Sequence, residues 1–303
     1  MHRSIWNHAS AVWWHHLLWM SLMITHAAKL TGADIAITME VEKDIPYAQL
    51  DELTLELDLY RPEKTQQGPL LVWVHGGAWR AGHRSSMPLS ALVQEGMVIA
   101  SVSYRLTTHA RFPANVHDIK AAIRFLRANQ KRLRIQADEI VIAGASAGGH
   151  LAALVGMTNR HPELEGQVGE YLDASSDVQG IISFYGASNL NTILSQSTPH
   201  GLGVRIPALQ LLLGGQPDQQ EALAQLASPV FHVDQTDPPL LMIHGDQDPQ
   251  MPISQSLELL GRYERMGRSV TMKVIHGGAH GGPQFYDRNS LAWVRQFLKI
   301  HFP

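Results

Sequence analysis

Residues 144–148 read Gly-Ala-Ser-Ala-Gly, between the apolar run Glu139–Ala143 and the segment Leu151-Ala152-Ala153-Leu154, which begins a helical pattern. This is a G-x-S-x-G motif at a strand-to-helix turn. Small residues two before and two after the serine let strand and helix approach closely, and the turn lifts Ser146 Oγ above the sheet. The helix N-terminus that follows favours negative charge beside it. The chemistry suggested is nucleophilic attack. A serine hydroxyl needs a base to take its proton and fixed donors for the oxyanion that forms.

The donors are expected one or two strand–helix units earlier. Leu71-Val72-Trp73-Val74 reads as a buried strand, and His75-Gly76-Gly77-Ala78-Trp79 follows it. Glycines let backbone N–H groups turn inward, so Gly77 and Ala78 are assigned as donors with Ala147, and Gly76 is the fallback. His75 closes the strand and reads as a structural hydrogen-bonding residue. Trp79 is a candidate for lining a substrate pocket, with ordinary packing an equal alternative.

The acid and the base are expected later in the chain, in that order. His244-Gly245-Asp246-Gln247-Asp248 follows the run Leu240–Ile243, and His276-Gly277-Gly278-Ala279-His280 follows Val270–Ile275. His276 ends its strand, whereas His280 lies in a glycine-flanked loop that can bring the ring to Ser146, so His280 is assigned as base. Asp248 lies deeper in its loop than Asp246, which suits a turn cap. Asp248 is assigned as the orienting acid.

These loops need a scaffold. Leu53, Leu55, Leu57 and Leu59 alternate across Leu53–Tyr60, as in a strand with one buried face. Leu70–Val74, Met97–Tyr104, Glu139–Ala143, Val178–Tyr185, Leu240–Ile243 and Val270–Ile275 are short continuous apolar runs, as in parallel strands buried on both faces. Val116, Ile119, Ile123 and Leu126 mark one helix, and Leu291, Val294, Phe297 and Leu298 the last. The expectation is an α/β fold, a mostly parallel doubly wound sheet with an antiparallel start over residues 36–60. From about 187 to 238 no strand pattern appears. Helical segments are predicted at Pro207–Leu213 and Gln219–Ala227, forming a small helical cap insert over the ligand crevice.

Composition narrows the function. The chain has 303 residues, 45% apolar and 17% charged, with 24 basic and 27 acidic side chains giving −3. That excludes a disordered chain, and no charge block suggests nucleic-acid binding or a polybasic membrane patch. Cysteine is absent, so no thiolate site or disulfide exists. Seventeen histidines raise the question of metal, but there is no H-E-x-x-H, and neither metal nor cofactor is expected. Arg3, the apolar run Ala11–Ile24 and the small residues near Ala27 resemble a secretory signal peptide over 1–28, although His15-His16 interrupts the run. The chain is then secreted or periplasmic. A misassigned start, with a cytoplasmic protein, or an ordered N-terminal helix are the alternatives. The run is too short for a stable membrane span.

Together the segments resemble a known family. His75 to Arg80, Ser103-Tyr104-Arg105-Leu106, Phe112-Pro113-Ala114, Asp118 to Ala122, Gly144 to His150, His244 to Asp248 and Gly278 to Gly281 are similar to α/β-hydrolase carboxylesterases, in particular bacterial bifunctional feruloyl and acetyl-xylan esterases. The resemblance covers residues about 50 to 300 and implies one α/β-hydrolase domain over 29–303. It also supports Asp248, the second aspartate of its segment, as the acid. Two departures stand out: Ala78 replaces the third glycine of hormone-sensitive-lipase-type loops, and Gly186-Ala187-Ser188-Asn189 lacks an aspartate common in relatives. The implied function is a serine carboxylic-ester hydrolase for short-acyl or aryl esters, of small molecules or linked to polysaccharide, acting through an acyl-enzyme on Ser146. An amidase such as an arylformamidase, or a peptidase, is the main alternative. A binding protein would not need the full constellation, and a lipase needs an apolar cap, whereas this insert carries Gln210, Gln216, Gln219 and Gln220.

Overall fold

The computed structural model describes residues 39–63 and 66–303. The leader expected over 1–28 lies outside the described residues. Eight strands form one sheet: β1 (Met39–Leu50), β2 (Leu53–Pro62), β3 (Leu70–Val74), β4 (Ile99–Val102), β5 (Ile140–Ala145), β6 (Gly180–Phe184), β7 (Leu240–Gly245) and β8 (Val270–Ile275). Their spatial order is β1-β2-β4-β3-β5-β6-β7-β8. The pairs β1–β2 and β2–β4 are antiparallel and all later pairs are parallel.

Alternation along each central strand supplies two cores. Leu70, Val72 and Val74 of β3 and Ile140 and Ile142 of β5 point into one cluster. Leu71 and Trp73, with Val141 and Ala143, point into the other. Apolar side chains on both faces demand cover on both faces, which is why these runs carry no polar alternation. Strand β8 departs from the expectation of burial on both faces. It pairs only with β7, and its residues are half-exposed, because it is the edge of the sheet.

Ten α-helices are present among the described residues: α1 (Ser90–Gln94), α2 (Ala114–Ala128), α3 (Gln130–Leu133), α4 (Ala147–Met157), α5 (Pro162–Glu165), α6 (Ile193–Gln196), α7 (Pro199–Leu213), α8 (Glu221–Leu226), α9 (Ser254–Arg265) and α10 (Arg288–His301). Helices α2, α4 and α9 bury residues in the first core, and α1 and α10 in the second. Asp287 caps α10 by accepting from the N–H of Ser290 at 2.8 Å, which fixes where that helix starts. The insert is helical, as its lack of strand pattern predicts, with α6, α7, α8 and a 3-10 turn at Pro229–Phe231. Helix α7 begins eight residues before the predicted Pro207. Thr198 caps it by accepting from the N–H of Gly201 at 3.1 Å, and Pro199 fits the first turn, so Gly201 and Gly203 lie inside the helix.

The turn between β5 and α4 is tight. A Cβ on Gly148 would lie 2.1 Å from the carbonyl oxygen of Val74 and 2.6 Å from that of His75, and one on Gly144 would lie 2.3 Å from the oxygen of Gly148. Only glycine lets α4 start this close to β3. Gly148→Ala is therefore expected to lower unfolding free energy by about 3 kcal/mol, because neighbouring backbone must move to admit the methyl group. Urea unfolding measures it, and a loss under about 1 kcal/mol would contradict the packing described.

Candidate active site

At that turn Ser146 has φ 57° and ψ −119°, a left-handed conformation that L residues avoid. The turn is pinned on both sides: Ser146 N–H donates to Phe184 O at 2.9 Å, and His150 N–H donates to Ser146 O at 2.9 Å. The side chain ends above the C-terminal edge of the sheet, 9% exposed.

The loops after β7 and β8 arrive beside it. Gly245 passes so near the second loop that a Cβ there would lie 2.2 Å from Gly278 O, and Gln247 N–H donates to the same oxygen at 2.9 Å. Joined in this way, the two loops place His280 Nε2 at 2.8 Å from Ser146 Oγ and His280 Nδ1 at 2.7 Å from Asp248 Oδ2. A carboxylate can only accept, so Nδ1 carries the hydrogen and Nε2 of the neutral ring accepts from the serine hydroxyl. The edge of the Tyr185 ring packs against the imidazole with centroids 4.9 Å apart.

Asp248 is held from the other side by two backbone donors, Gln250 N–H and Met251 N–H, both at 2.8 Å from Oδ1. His244 Nε2 lies 3.5 Å from Oδ2 while hydrogen-bonded to Met251 O at 2.9 Å. Burial alone would raise the pKa of Asp248. The opposing hydrogen bonds and charge, from His244 and His280 above all, hold it well below the ordinary carboxylate range. Asp246 pairs instead with the exposed His276 at 2.9 Å and accepts from Gly277 N–H at 2.7 Å. It caps the turn, as its position in the loop suggests.

The segment after β3 forms a second wall. Gly77, Ala78 and Trp79 have φ of 116°, 52° and 59°, and Arg80 and Ala81 N–H both donate back to Gly77 O at 3.1 and 3.0 Å. Gly76, Gly77 and Ala78 line the same cavity as Ser146 and His280, and Ala147 is the first residue of α4, directly after the serine. No protein acceptor takes up the N–H of Gly77, Ala78 or Ala147 among the described residues. His75 lies below, buried, stacked on Tyr104 with centroids 4.5 Å apart, and outside the cavity lining. Arg84, just beyond the loop, is clamped by Asp44, Glu56 and Asp58.

Trp79 does not line the pocket. It is fully buried, and its Nε1–H donates to His150 Nδ1 at 3.1 Å. The indole nitrogen can only donate, so His150 carries its hydrogen on Nε2 and gives it to Ala227 O at 2.7 Å. One polar chain thus ties the loop after β3 to α4 and to the insert. The rings in the cavity wall are those of Trp73, Tyr185 and Tyr286, with the two tyrosine hydroxyls 2.7 Å apart. Sequence reading passed over all three, although Tyr185 directly follows β6 at the sheet end that supplies the other loops. It also passed over Arg205 of α7, which lines the cavity and is the one charged side chain in that helix. The cavity encloses about 760 Å³. Among the described residues no cluster of His, Asp and Glu could hold a metal, and no helix is long and apolar enough to cross a membrane.

With this geometry in view, comparison with known proteins is direct. The BD-FAE family model matches residues 57–263, more than half of the chain. The chain belongs to the BD-FAE family. Like the structures it resembles, this BD-FAE chain has the α/β-hydrolase fold. It superposes with a TM-score of 0.78 on a truncated carbohydrate esterase from gut microbiota, at 28% identity over 89% of this chain and 98% of that one. A bifunctional GH43-CE protein of Bacteroides eggerthii matches with a TM-score of 0.76 and 31% identity, over 86% of this chain and 35% of the other. Esterase LipC of Mycobacterium tuberculosis is 32% identical over 231 residues, 74% of this chain and 56% of its own length. The chain spans about half the length of the named relatives of this kind that it matches.

The buried imidazoles around the site make a pH prediction. Burial pushes His75 and His150 down from the ordinary 6.5 to about 4. Between those values the unfolded chain binds protons that the folded chain excludes, so stability is full above about pH 6.5 and falls toward pH 4. The loss is on the order of a few kcal/mol for the two together. The buried carboxyl of Asp237 opposes part of this, because burial pushes it up to about 7 and the folded chain takes up its proton first as pH falls. Urea midpoints from pH 7 to pH 4 should fall by the difference, and a rise over that range would contradict the buried neutral rings.

Proposed function

We propose that the chain is a serine carboxylic-ester hydrolase acting on short-acyl or aryl esters, of the feruloyl or acetyl type, through an acyl-enzyme on Ser146. The observation that carries this reading is the unbroken line from Ser146 Oγ to His280 Nε2 at 2.8 Å and from His280 Nδ1 to Asp248 Oδ2 at 2.7 Å, opening on one cavity. Ser146 Oγ attacks the ester carbonyl carbon as its proton passes to His280 Nε2. Asp248 stabilises the imidazolium and keeps the ring in the one tautomer that can accept. The N–H groups of Gly77, Ala78 and Ala147 receive the tetrahedral oxyanion. His280 then gives the proton to the departing alcohol oxygen, the carbonyl re-forms, and water activated by the same nitrogen hydrolyses the acyl-serine. No step calls for a metal or an organic cofactor.

The cavity walls support this substrate class. Tyr185 and Tyr286, backed by the buried Trp73, offer aromatic surface within a cavity of about 760 Å³, which suits an aryl group or a short acyl chain. A carbohydrate esterase and named esterases among the relatives support ester over amide chemistry.

The test is kcat/KM on p-nitrophenyl acetate, butyrate and octanoate, methyl ferulate and an aryl formamide. Acetate and ferulate esters are expected to lead. Ser146→Ala and His280→Ala should each lose on the order of 10⁴-fold or more in kcat, and Asp248→Asn about 10³- to 10⁴-fold. Activity surviving Ser146→Ala would overturn the mechanism, and turnover of the formamide alone would replace esterase by amidase.

A further inference from the structure

We propose that Arg205 is a specificity-determining residue and that the ester substrate carries a carboxylate, which its guanidinium binds. This rests on the esterase reading and deepens it.

Arg205 lines the catalytic cavity yet is 1% exposed. Its Nε–H donates to Gln250 O at 3.3 Å, beside the backbone that holds Asp248. Among the described residues neither Nη1 nor Nη2 has a protein partner, and no salt bridge joins the side chain to an acid. A buried guanidinium has several donors to satisfy, and two bare nitrogens are destabilising unless a ligand supplies acceptors. Its titratable neighbours are already taken. Both oxygens of Asp248 are engaged by His280, Gln250 and Met251, and His150 is neutral and already hydrogen-bonded at both nitrogens.

Charge is consistent with this. Burial lowers Arg205 to about 10, with the field of Asp248 opposing, so the side chain is cationic at neutral pH. The cavity wall also includes Arg80 and contains no aspartate or glutamate. A planar fork with two free nitrogens matches a carboxylate in bidentate geometry. Both nitrogens are closed to solvent, and Arg205 lines the cavity that holds Ser146 and His280, so a carboxylate reaches them from that cavity as the side chain turns, alongside the reacting ester.

Two matched pairs of esters test the proposal: mono-p-nitrophenyl glutarate against p-nitrophenyl pentanoate, and 4-acetoxybenzoate against 4-acetoxybenzamide. The first pair places the carboxylate on the acyl side and the second on the leaving side. The readout is the ratio of kcat/KM within a pair, which cancels any loss of folded enzyme. At least one ratio should favour the anion about tenfold, carried by KM, as one charge-assisted contact allows. Arg205→Gln should bring that ratio to about one, and Arg205→Lys should restore part of it. Ratios near one in the unaltered enzyme, or a preference that survives Arg205→Gln, would overturn the proposal while leaving ester hydrolysis intact. Calorimetric titration of Ser146→Ala with 4-acetoxybenzoate and with mono-p-nitrophenyl glutarate reads binding without turnover. Saturable binding of either that is lost on adding Arg205→Gln supports the carboxylate site even in a chain that hydrolyses none of the four esters. Absence of hydrolysis with all four overturns the esterase reading alone, and absence of binding by both probes overturns the carboxylate site.

Discussion

Ser146 occupies a backbone conformation that costs on the order of 1–3 kcal/mol, and the packing around it must supply that energy. Four elements converge to do so. Helix α4 starts against the carbonyl groups of Val74 and His75 at the end of β3, Phe184 O of β6 accepts the serine N–H, and β5 runs in from below. Any side chain at Gly148 would push the helix away and relax the turn. Three of the strongest features of the site then follow from one close approach. The hydroxyl stands above the sheet, the amide of Ala147 follows it at the helix N-terminus, and the segment 75–79 comes alongside because it ends the strand on which α4 rests.

The remaining parts reach the serine through polar links that cross between elements. Trp79, His150 and Ala227 connect the loop after β3 to α4 and to the insert. Thr198 Oγ1 donates to Pro249 O at 2.6 Å and Arg205 to Gln250 O, so α7 rests on the loop that carries Asp248. The turn at Ser188 and Asn189 is tied to α9 by Gln255, whose Oε1 accepts both backbone N–H groups at 2.9 and 2.8 Å. The insert is thus part of the support for the acid as well as the roof of the cavity, and the carboxylate site inferred at Arg205 lies where those two roles meet.

Much of this was legible in residue order. Continuous apolar runs marked the buried strands because a sheet covered on both faces leaves no polar alternation to see, and β3 falls where its run falls; β8 also lies where its run predicts it, but as a half-exposed edge. The loops bearing Ser146, Asp248 and His280 were readable because each follows such a run and carries small residues where loops touch. What escaped depends on three-dimensional context. That Trp79 points away from the cavity is decided by a turn with three successive positive φ values, which composition does not encode. The start of α7 was hidden by Gly201 and Gly203, residues that punctuate loops elsewhere but here lie beyond a Thr198 cap. Arg205 escaped with it, because it lies before Pro207 and belongs to the helix only once the start is known.

The central claim is that Ser146 is activated by His280 and alone accepts the acyl group. Labelling with a fluorophosphonate, followed by intact-mass and tryptic-peptide spectrometry, tests this most directly. The account predicts one adduct per chain, located on Ser146, formed in step with loss of ester hydrolysis and absent after Ser146→Ala or, within the same exposure time, His280→Ala. An unlabelled chain that still hydrolyses esters, or an adduct on another residue that abolishes hydrolysis, would contradict it.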